Sequence, residues 1–152
     1  MLSARAALKA ITNFTAIATT QENPSRVCLA AQVRQVDEAT GDTAVEWRWY
    51  ERNSDKPLVR HEFHFKLGYG LRNRYIMTDP GVDQPADATL LYTDYKTCVV
   101  VLFVAPLYEC MMWVHESVKD AVPGHCWAAH GHFCGLQRTL LQDDEKCRKG
   151  SR

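Results

Sequence analysis

Apolar and polar residues alternate along most of the chain with a period of two. In the stretch 43–51, Val45, Trp47 and Trp49 alternate with charged or polar side chains, and residues 59–67 repeat the pattern. This period is typical of a β-strand with one buried face and one exposed face. Short turns rich in Gly, Pro, Asn and Asp separate such stretches. The pattern predicts eight strands, near residues 14–20, 26–33, 43–51, 58–67, 71–78, 88–94, 97–104 and 109–115.

The order of these strands predicts the fold. No helical stretch separates them, so sequence neighbours are expected to pair antiparallel. Eight such strands favour an all-β, closed up-and-down barrel, in a single domain that spans residues 1–152, and a barrel of this size can hold one small ligand. A short N-terminal helix is predicted from Ser3 to Ile11, because Ser3 can cap it. A C-terminal helix at 125–138 is expected to pack on the barrel, and residues 79–87 are expected to form a loop.

Composition and motifs exclude several function classes. Lys plus Arg and Asp plus Glu number 18 each, so the chain lacks the net positive charge that nucleic acids or anionic membranes attract. The longest near-continuous apolar run, Cys98 to Leu107, is about half a membrane span and therefore indicates a buried strand. The chain contains no Gly-x-Ser-x-Gly, His-Glu-x-x-His or phosphate-binding glycine motif. We therefore predict that it is not an enzyme and carries no cofactor.

Six cysteines are many for 152 residues. An even number in a small domain is typical of disulfides and of an oxidising compartment, whereas a cytosolic protein with reduced thiols is the alternative. Residues 1–5 contain no apolar signal segment, which predicts a secreted protein in its mature form with an added Met. Asn13-Phe14-Thr15 is a sequon, so Asn13 is a predicted glycosylation site.

A zinc site is a second interpretation of the C-terminal cysteines. Cys126, His130, His132 and Cys134 lie within nine residues, and both residue types bind zinc. On a helix, however, His132 does not share the face of the other three. We therefore predict no metal site.

The second half of the chain carries a family resemblance. It rests on three stretches, Leu91-Tyr92-Thr93-Asp94-Tyr95, Lys96-Thr97-Cys98 and Glu109-Cys110-Met111-Met112-Trp113, and on the later Cys126, Cys134 and Cys147. Together with the strand order, these residues resemble the lipocalins, in particular the tick salivary lipocalins of the histamine-binding type. The Gly-x-Trp signature of most lipocalins is absent from the first strand. The resemblance implies a protein secreted in saliva that sequesters a small host mediator, such as histamine, serotonin, a leukotriene or thromboxane.

The resemblance also implies how the cysteines pair. It joins Cys28 to Cys147 and Cys98 to Cys126, which leaves Cys110 and Cys134 as the third pair. From the sequence alone, fifteen pairings are open.

Alternation along the strands predicts which side chains point into the barrel. They are mostly aromatic or aliphatic, as in many small-molecule sites, although a packed core without a cavity is the alternative. The predicted ligand-binding residues are Trp47, Trp49, His61, Phe63, Phe65, Tyr75, Thr89, Leu91, Val99, Val101, Met111 and Trp113.

The resemblance implies a lipid ligand in preference to an amine. Amine binders of the family carry acidic residues at the positions that Val99 and Met111 hold here, and apolar residues suit an eicosanoid such as a leukotriene. The ligand carboxylate would then bind His61 and the hydroxyl groups of Tyr75 and Thr89. Aromatic rings can also hold an amine through cation–π contacts, which keeps serotonin and histamine open. The loops offer a further alternative, the blocking of a host protein.

Basic residues on the fourth and fifth predicted strands are candidates for the cavity mouth. Their parity in the strands points them outward, towards solvent. They are Arg60, Lys66, Arg72 and Arg74.

Overall fold

The computed structural model describes residues 2–67, 71–79, 82–104 and 108–150, apart from the side chains of 82–84, 149 and 150. Each of the eight predicted strands is present. Their bounds are β1 Asn13–Thr19, β2 Arg26–Val36, β3 Thr43–Glu51, β4 Val59–Leu67, β5 Arg74–Asp79, β6 Val82–Thr93, β7 Cys98–Val104 and β8 Glu109–His115.

The sheet closes on itself as a barrel. Consecutive strands pair antiparallel, and β1 pairs with both β2 and β8. Phe14 therefore has Ala31 as its neighbour on one side and His115 on the other. The β1–β2 pairs span Asn13–Thr15, and this pairing joins the two ends of the sheet. The predicted eight-stranded up-and-down barrel is confirmed.

The predicted loop at 79–87 is wrong over most of its length. β6 begins at Val82, and Asp79 at the end of β5 pairs with that residue. Positions 80 and 81 lie outside the described residues. Pro85 and the small side chains of Ala86 and Ala88 give a weak strand signal, so only the pairing with β5 reveals the strand.

A short helix, α1 (Ala4–Ala10), closes one end of the barrel. The Ser3 side chain accepts a hydrogen bond from the N–H of Ala6 at 3.1 Å and caps the helix. The N–H of Ala4 donates to the Arg72 carbonyl at 2.9 Å, and the N–H of Ser3 donates to the Tyr95 hydroxyl at 2.9 Å. These bonds join the helix to two connections of the barrel, so α1 forms its floor.

A second helix, α2 (Gly124–Cys134), packs on the outside of β7 and β8. Its Cys126 and Ala129 join the outward-facing Val100, Met112 and Val114 in an apolar cluster separate from the barrel interior. Consequently β7 and β8 are apolar on both faces. The helix ends four residues before its predicted end at 138.

Three disulfides connect the helices to the barrel. Cys98–Cys126 and Cys110–Cys134 join β7 and β8 to α2, and Cys28–Cys147 joins β2 to a last helix, α3 (Glu145–Gly150). These are the pairs that the family resemblance implies. None of the six cysteines is free.

The polar tail contains structure that the sequence pattern does not predict. A two-residue strand, β9 (Thr139–Leu140), pairs with β1. The next residue, Leu141, is 1% exposed and belongs to the interior core. Among the described residues, no helix has both the length and the apolar character needed to cross a membrane.

Candidate ligand-binding site

The barrel contains two neighbouring spaces. The larger, of about 550 Å³, reaches the end formed by the β1–β2 connection and the start of β8. The smaller, of about 80 Å³, lies under α1, which contributes Ala4, Ala7 and Leu8 to its lining. Trp47 and Phe103 border both spaces. The larger volume falls in the range of small-molecule sites.

Aromatic rings form the wall between the two spaces. The ring centre of Trp47 lies 4.9 Å from that of Phe63, 5.0 Å from Trp113 and 5.8 Å from Phe103. The rings meet edge-on or tilted, which are favourable arrangements worth about 0.5–1.5 kcal/mol per pair beyond area burial. Because four strands supply them at inward positions, a planar ligand in the larger space would contact a rigid aromatic surface.

Charged side chains line the open end of the larger space. The guanidinium carbon of Arg26 lies 4.2 Å from the centre of the Trp49 ring. Burial lowers the pKa of Arg26, whereas the charges of Glu51, Glu109 and Asp79 raise it. Arg26 nevertheless remains a cation, since arginine is protonated in proteins. Glu109 and Asp79 also border the space, so it presents one cation and two carboxylates.

Both carboxylates have a neighbouring side chain. The Thr19 hydroxyl donates a short hydrogen bond to Oε2 of Glu109. Nε2 of His61 lies 2.9 Å from Oδ2 of Asp79. The hydrogen bond positions Glu109 before any ligand arrives, which lowers the cost of binding a charged group.

The smaller space is apolar. The Tyr75 hydroxyl donates a hydrogen bond to the Gly41 carbonyl at 3.3 Å and is thus already engaged. Burial raises the pKa of Tyr75, which keeps the phenol neutral. None of the described residues lining this space is charged. It suits a ring or an alkyl group and not an ionic head.

Most of the side chains predicted to bind a ligand line these two spaces. Trp47, Trp49, His61, Phe63 and Met111 border the larger one, and Trp47 also borders the smaller. The other predicted residues that line the smaller space are Phe65, Tyr75, Val99, Val101 and Trp113.

Thr89 and Leu91 were predicted to face the cavity, and this is wrong. Ala88 and Leu90 are the buried inward residues of β6, while Leu91 packs in the outer apolar cluster against α2. The register shifts between Leu90 and Tyr92. Because α2 covers this wall, both faces of β6 carry apolar residues here, so alternation does not distinguish inside from outside.

The charged residues of the site do not follow from the alternating pattern. Arg26, Asp79 and Glu109 occupy terminal positions of β2, β5 and β8. Odd strands of an up-and-down barrel end where even strands begin, so these three positions share one end. That rule could have found them, whereas alternation within a strand could not.

Arg60, Lys66 and Arg72 are exposed, and Arg74 pairs with Asp87 at 2.6 Å. None of the four borders either space.

The structure excludes a zinc site at the cysteines and histidines of α2. Cys126 and Cys134 are bonded to other sulfur atoms, and His130 is fully buried. Asp94 and His125 lie near the Cys98–Cys126 disulfide, but those sulfurs are bonded to each other. Neither group offers a thiolate to a metal.

Comparison with known proteins identifies the family. Residues 4–149 match the family model described as tick histamine binding protein. The chain belongs to the tick histamine-binding protein family. This family member is a ligand-binding protein of the lipocalin type and not an enzyme. No curated protein matched its sequence.

Solved structures share its fold. A serotonin complex of AM182 superposes with a TM-score of 0.72 at 15% identity, covering 92% of this chain and 89% of that chain. Japanin from Rhipicephalus appendiculatus, bound to cholesterol, gives 0.64 at 10% identity and covers 90% and 95%. The siderocalin Ex-FABP gives 0.62 at 14% identity and covers 83% and 85%. At such identities the likeness establishes the fold alone.

Proposed function

We propose that this tick histamine-binding family member is secreted and sequesters a small aromatic amine of a host, such as serotonin or histamine, in the larger cavity. The observation that carries this proposal is the position of Asp79 and Glu109 at the end of an aromatic-lined space. An ammonium group needs a carboxylate when it leaves water. An aromatic ring of the ligand would be stabilised by contact with the aromatic wall beside that space.

The carboxylates alter the ligand preference drawn from the resemblance. The lipid preference rested on the absence of acidic residues at Val99 and Met111. Here Glu109 and Asp79 supply the negative charge from other strands. Since Glu51 also acts on Arg26, three carboxylates offset the charge of that cation, which weakens its attraction for a ligand carboxylate.

Export is part of the proposal. Three disulfides require an oxidising compartment for their formation. Asn13 is exposed at the start of β1, where a glycan could be attached. The family supports release into saliva.

A lipid mediator is the second candidate. The smaller space is uncharged and adjoins the larger one at Trp47 and Phe103, so it could receive an apolar tail. The cholesterol complex of japanin shows an apolar ligand on a similar fold. An eicosanoid such as a leukotriene would place its carboxylate near Arg26.

Calorimetry with a ligand panel tests the proposal. The panel contains histamine, serotonin, leukotriene B4, a cysteinyl leukotriene and a thromboxane analogue. We expect an amine to bind and Glu109→Gln to weaken its binding by about tenfold or more, because the variant removes a positioned counter-charge.

Glu62→Gln is the matched control, since Glu62 is exposed on the outer face of β4 and the charge change is the same. Binding of leukotrienes alone would favour the second candidate. Binding of no panel member would contradict both and direct the search to a host protein.

A further inference from the structure

Arg26 stacks on Trp49 at the edge of the larger cavity. It begins β2 directly opposite Glu51, the last residue of β3. Its guanidinium carbon lies 4.2 Å from the centre of the Trp49 ring, and Nε1 of that ring donates to Oε1 of Glu51 at 3.4 Å. The carboxylate thus holds the ring in place while the cation covers its face.

We propose that Arg26 determines the charge selectivity of the larger cavity, because its guanidinium fills the cation subsite on Trp49 and a ligand amine must displace it. This inference rests on the proposed function. In this role the Arg26 side chain competes with the ligand amine for the same subsite, which the presence of carboxylates alone does not imply.

The competition follows from the surroundings that guanidinium and ligand would share. A cation in this cavity gains from an aromatic face and from a nearby carboxylate. Arg26 already has both, since Glu109 and Asp79 act on its charge in addition to Glu51. The same Glu109 and Asp79 line the space that a ligand enters. An ammonium beside them would meet the positive charge of Arg26 unless that side chain moved.

Arg26 is held by its stacking on Trp49 and by charge attraction, and its position at the cavity mouth makes displacement feasible. Its side chain borders the open end of the cavity and is not fully buried. A long flexible side chain at a cavity mouth can turn towards water at little steric cost. The occupied subsite therefore discriminates against small amines that make few apolar contacts. A ligand must contact the aromatic wall well enough to offset the loss of the Arg26–Trp49 stack.

A ligand series with one ring and different charge tests the inference. Serotonin, 5-hydroxytryptophan and 5-hydroxyindole-3-acetate are cationic, zwitterionic and anionic versions of the same indole. Each is titrated calorimetrically into the wild-type protein and into Arg26→Met, which keeps a long unbranched side chain without the charge.

In Arg26→Met we expect serotonin to bind about tenfold tighter, which corresponds to ~1.4 kcal/mol. We expect 5-hydroxyindole-3-acetate to bind more weakly by a similar factor, and the zwitterion to change least. Arg26→Lys keeps the charge and should resemble the wild type in this ranking.

Arg60→Met is the matched control, because Arg60 pairs with Glu46 on the outside of the barrel. It removes the same charge and should leave all three affinities unchanged. Circular dichroism and intact mass confirm folding and three disulfides in each variant. If Arg26→Met does not fold, Arg26→Gln takes its place.

Two results would overturn the inference. If serotonin binds the wild type but binds Arg26→Met equally or more weakly, Arg26 is not a competitor, and the proposed function still stands. If no amine binds the wild type or either variant, the proposed function fails and this inference fails with it.

Discussion

Asp94 shows at the scale of one residue why the Leu91–Tyr95 stretch is a signature. Its Oδ1 accepts hydrogen bonds from the N–H groups of Lys96, Thr97 and Cys98 at 2.7–3.0 Å, and its Oδ2 lies 2.8 Å from Nε2 of His125. Burial alone raises the pKa of Asp94, but these hydrogen bonds outweigh it and hold the pKa well below its ordinary value. The residue stabilises the β6–β7 turn and joins it to α2. Its role is therefore structural, and its stabilising effect diminishes as the pH falls below the ordinary range of a carboxyl group.

His130 also makes the protein less stable at low pH, but for a different reason. It is fully buried in α2, and neither ring nitrogen has a hydrogen-bond partner among the described residues. Burial lowers the pKa of His130, and the charge of Arg138 adds to that effect. The folded state therefore resists protonation. Below about pH 6.5 the unfolded chain takes up a proton that the folded chain does not. The free energy of unfolding therefore decreases as the pH decreases.

His130→Leu should remove this weakness. The variant replaces an unpaired polar ring by an apolar side chain of similar size, so we expect it to be neutral or stabilising. The gain in free energy of unfolding should be larger at pH 5 than at pH 8, because only the unfolded wild type gains a proton there. Urea unfolding at both pH values measures it. His132→Leu, an exposed position of the same helix, is the control, and an equal change at both pH values in His130→Leu would contradict the assignment.

At the scale of elements, the three disulfides join different parts of the chain to the barrel. Two of them join α2 to the outside of the barrel, whereas Cys28–Cys147 anchors α3 and the preceding tail to β2. Leu141 in that tail borders the larger cavity, and the Gln142 side chain donates to the carbonyls of Ala16 and Leu29. The tail is thus part of the cavity wall.

Removing disulfides separately should distinguish stability from binding. Cys28→Ser with Cys147→Ser opens a link of sequence separation 119, which in the chain-entropy model costs about 4–5 kcal/mol, and it should also weaken ligand binding. Cys110→Ser with Cys134→Ser opens a separation of 24 at a cost of about 3 kcal/mol and should leave affinity nearly unchanged. Guanidinium unfolding and calorimetry measure the two effects. Equal losses of affinity in both variants would show that the tail has no special role.

At the scale of the whole molecule, the closed barrel separates an inner and an outer core. Trp47, Trp49 and Trp113 belong to the inner core, whereas Trp127 lies outside with the guanidinium carbon of Arg138 4.2 Å from its ring centre. The floor formed by α1 lies at one end, and the charged residues of the larger cavity lie at the other.

Tryptophan fluorescence should therefore report on the cavity. We expect bound serotonin, or any ligand of the larger space, to change the emission of the wild type. Trp127→Phe should retain that change in full, whereas Trp49→Phe should lose a large part of it, because Trp49 borders the larger space. A response that disappears in Trp127→Phe would place the ligand outside the barrel.

The alternating pattern was enough to predict the barrel and most of its lining. Strict alternation on β3 and β4 has only one stable solution, an aromatic face turned inward, so Trp47, Trp49, Phe63 and Phe65 were predictable. Where α2 makes both faces of a strand apolar, alternation no longer distinguishes inward from outward positions. The orientation predicted for Thr89 and Leu91 was wrong for this reason. Small residues and Pro85 likewise concealed the start of β6.

The charges of the cavity, by contrast, depend on how the strands come together in the folded barrel. Arg26, Asp79 and Glu109 come from strand ends far apart in sequence, and a local pattern has no means of showing that barrel closure brings them to one mouth. Charge interactions depend on distance in space, whereas alternation depends on neighbours along the chain. The alternating pattern therefore predicted the barrel and its apolar lining, whereas closure of the barrel determined which charged side chains a ligand meets.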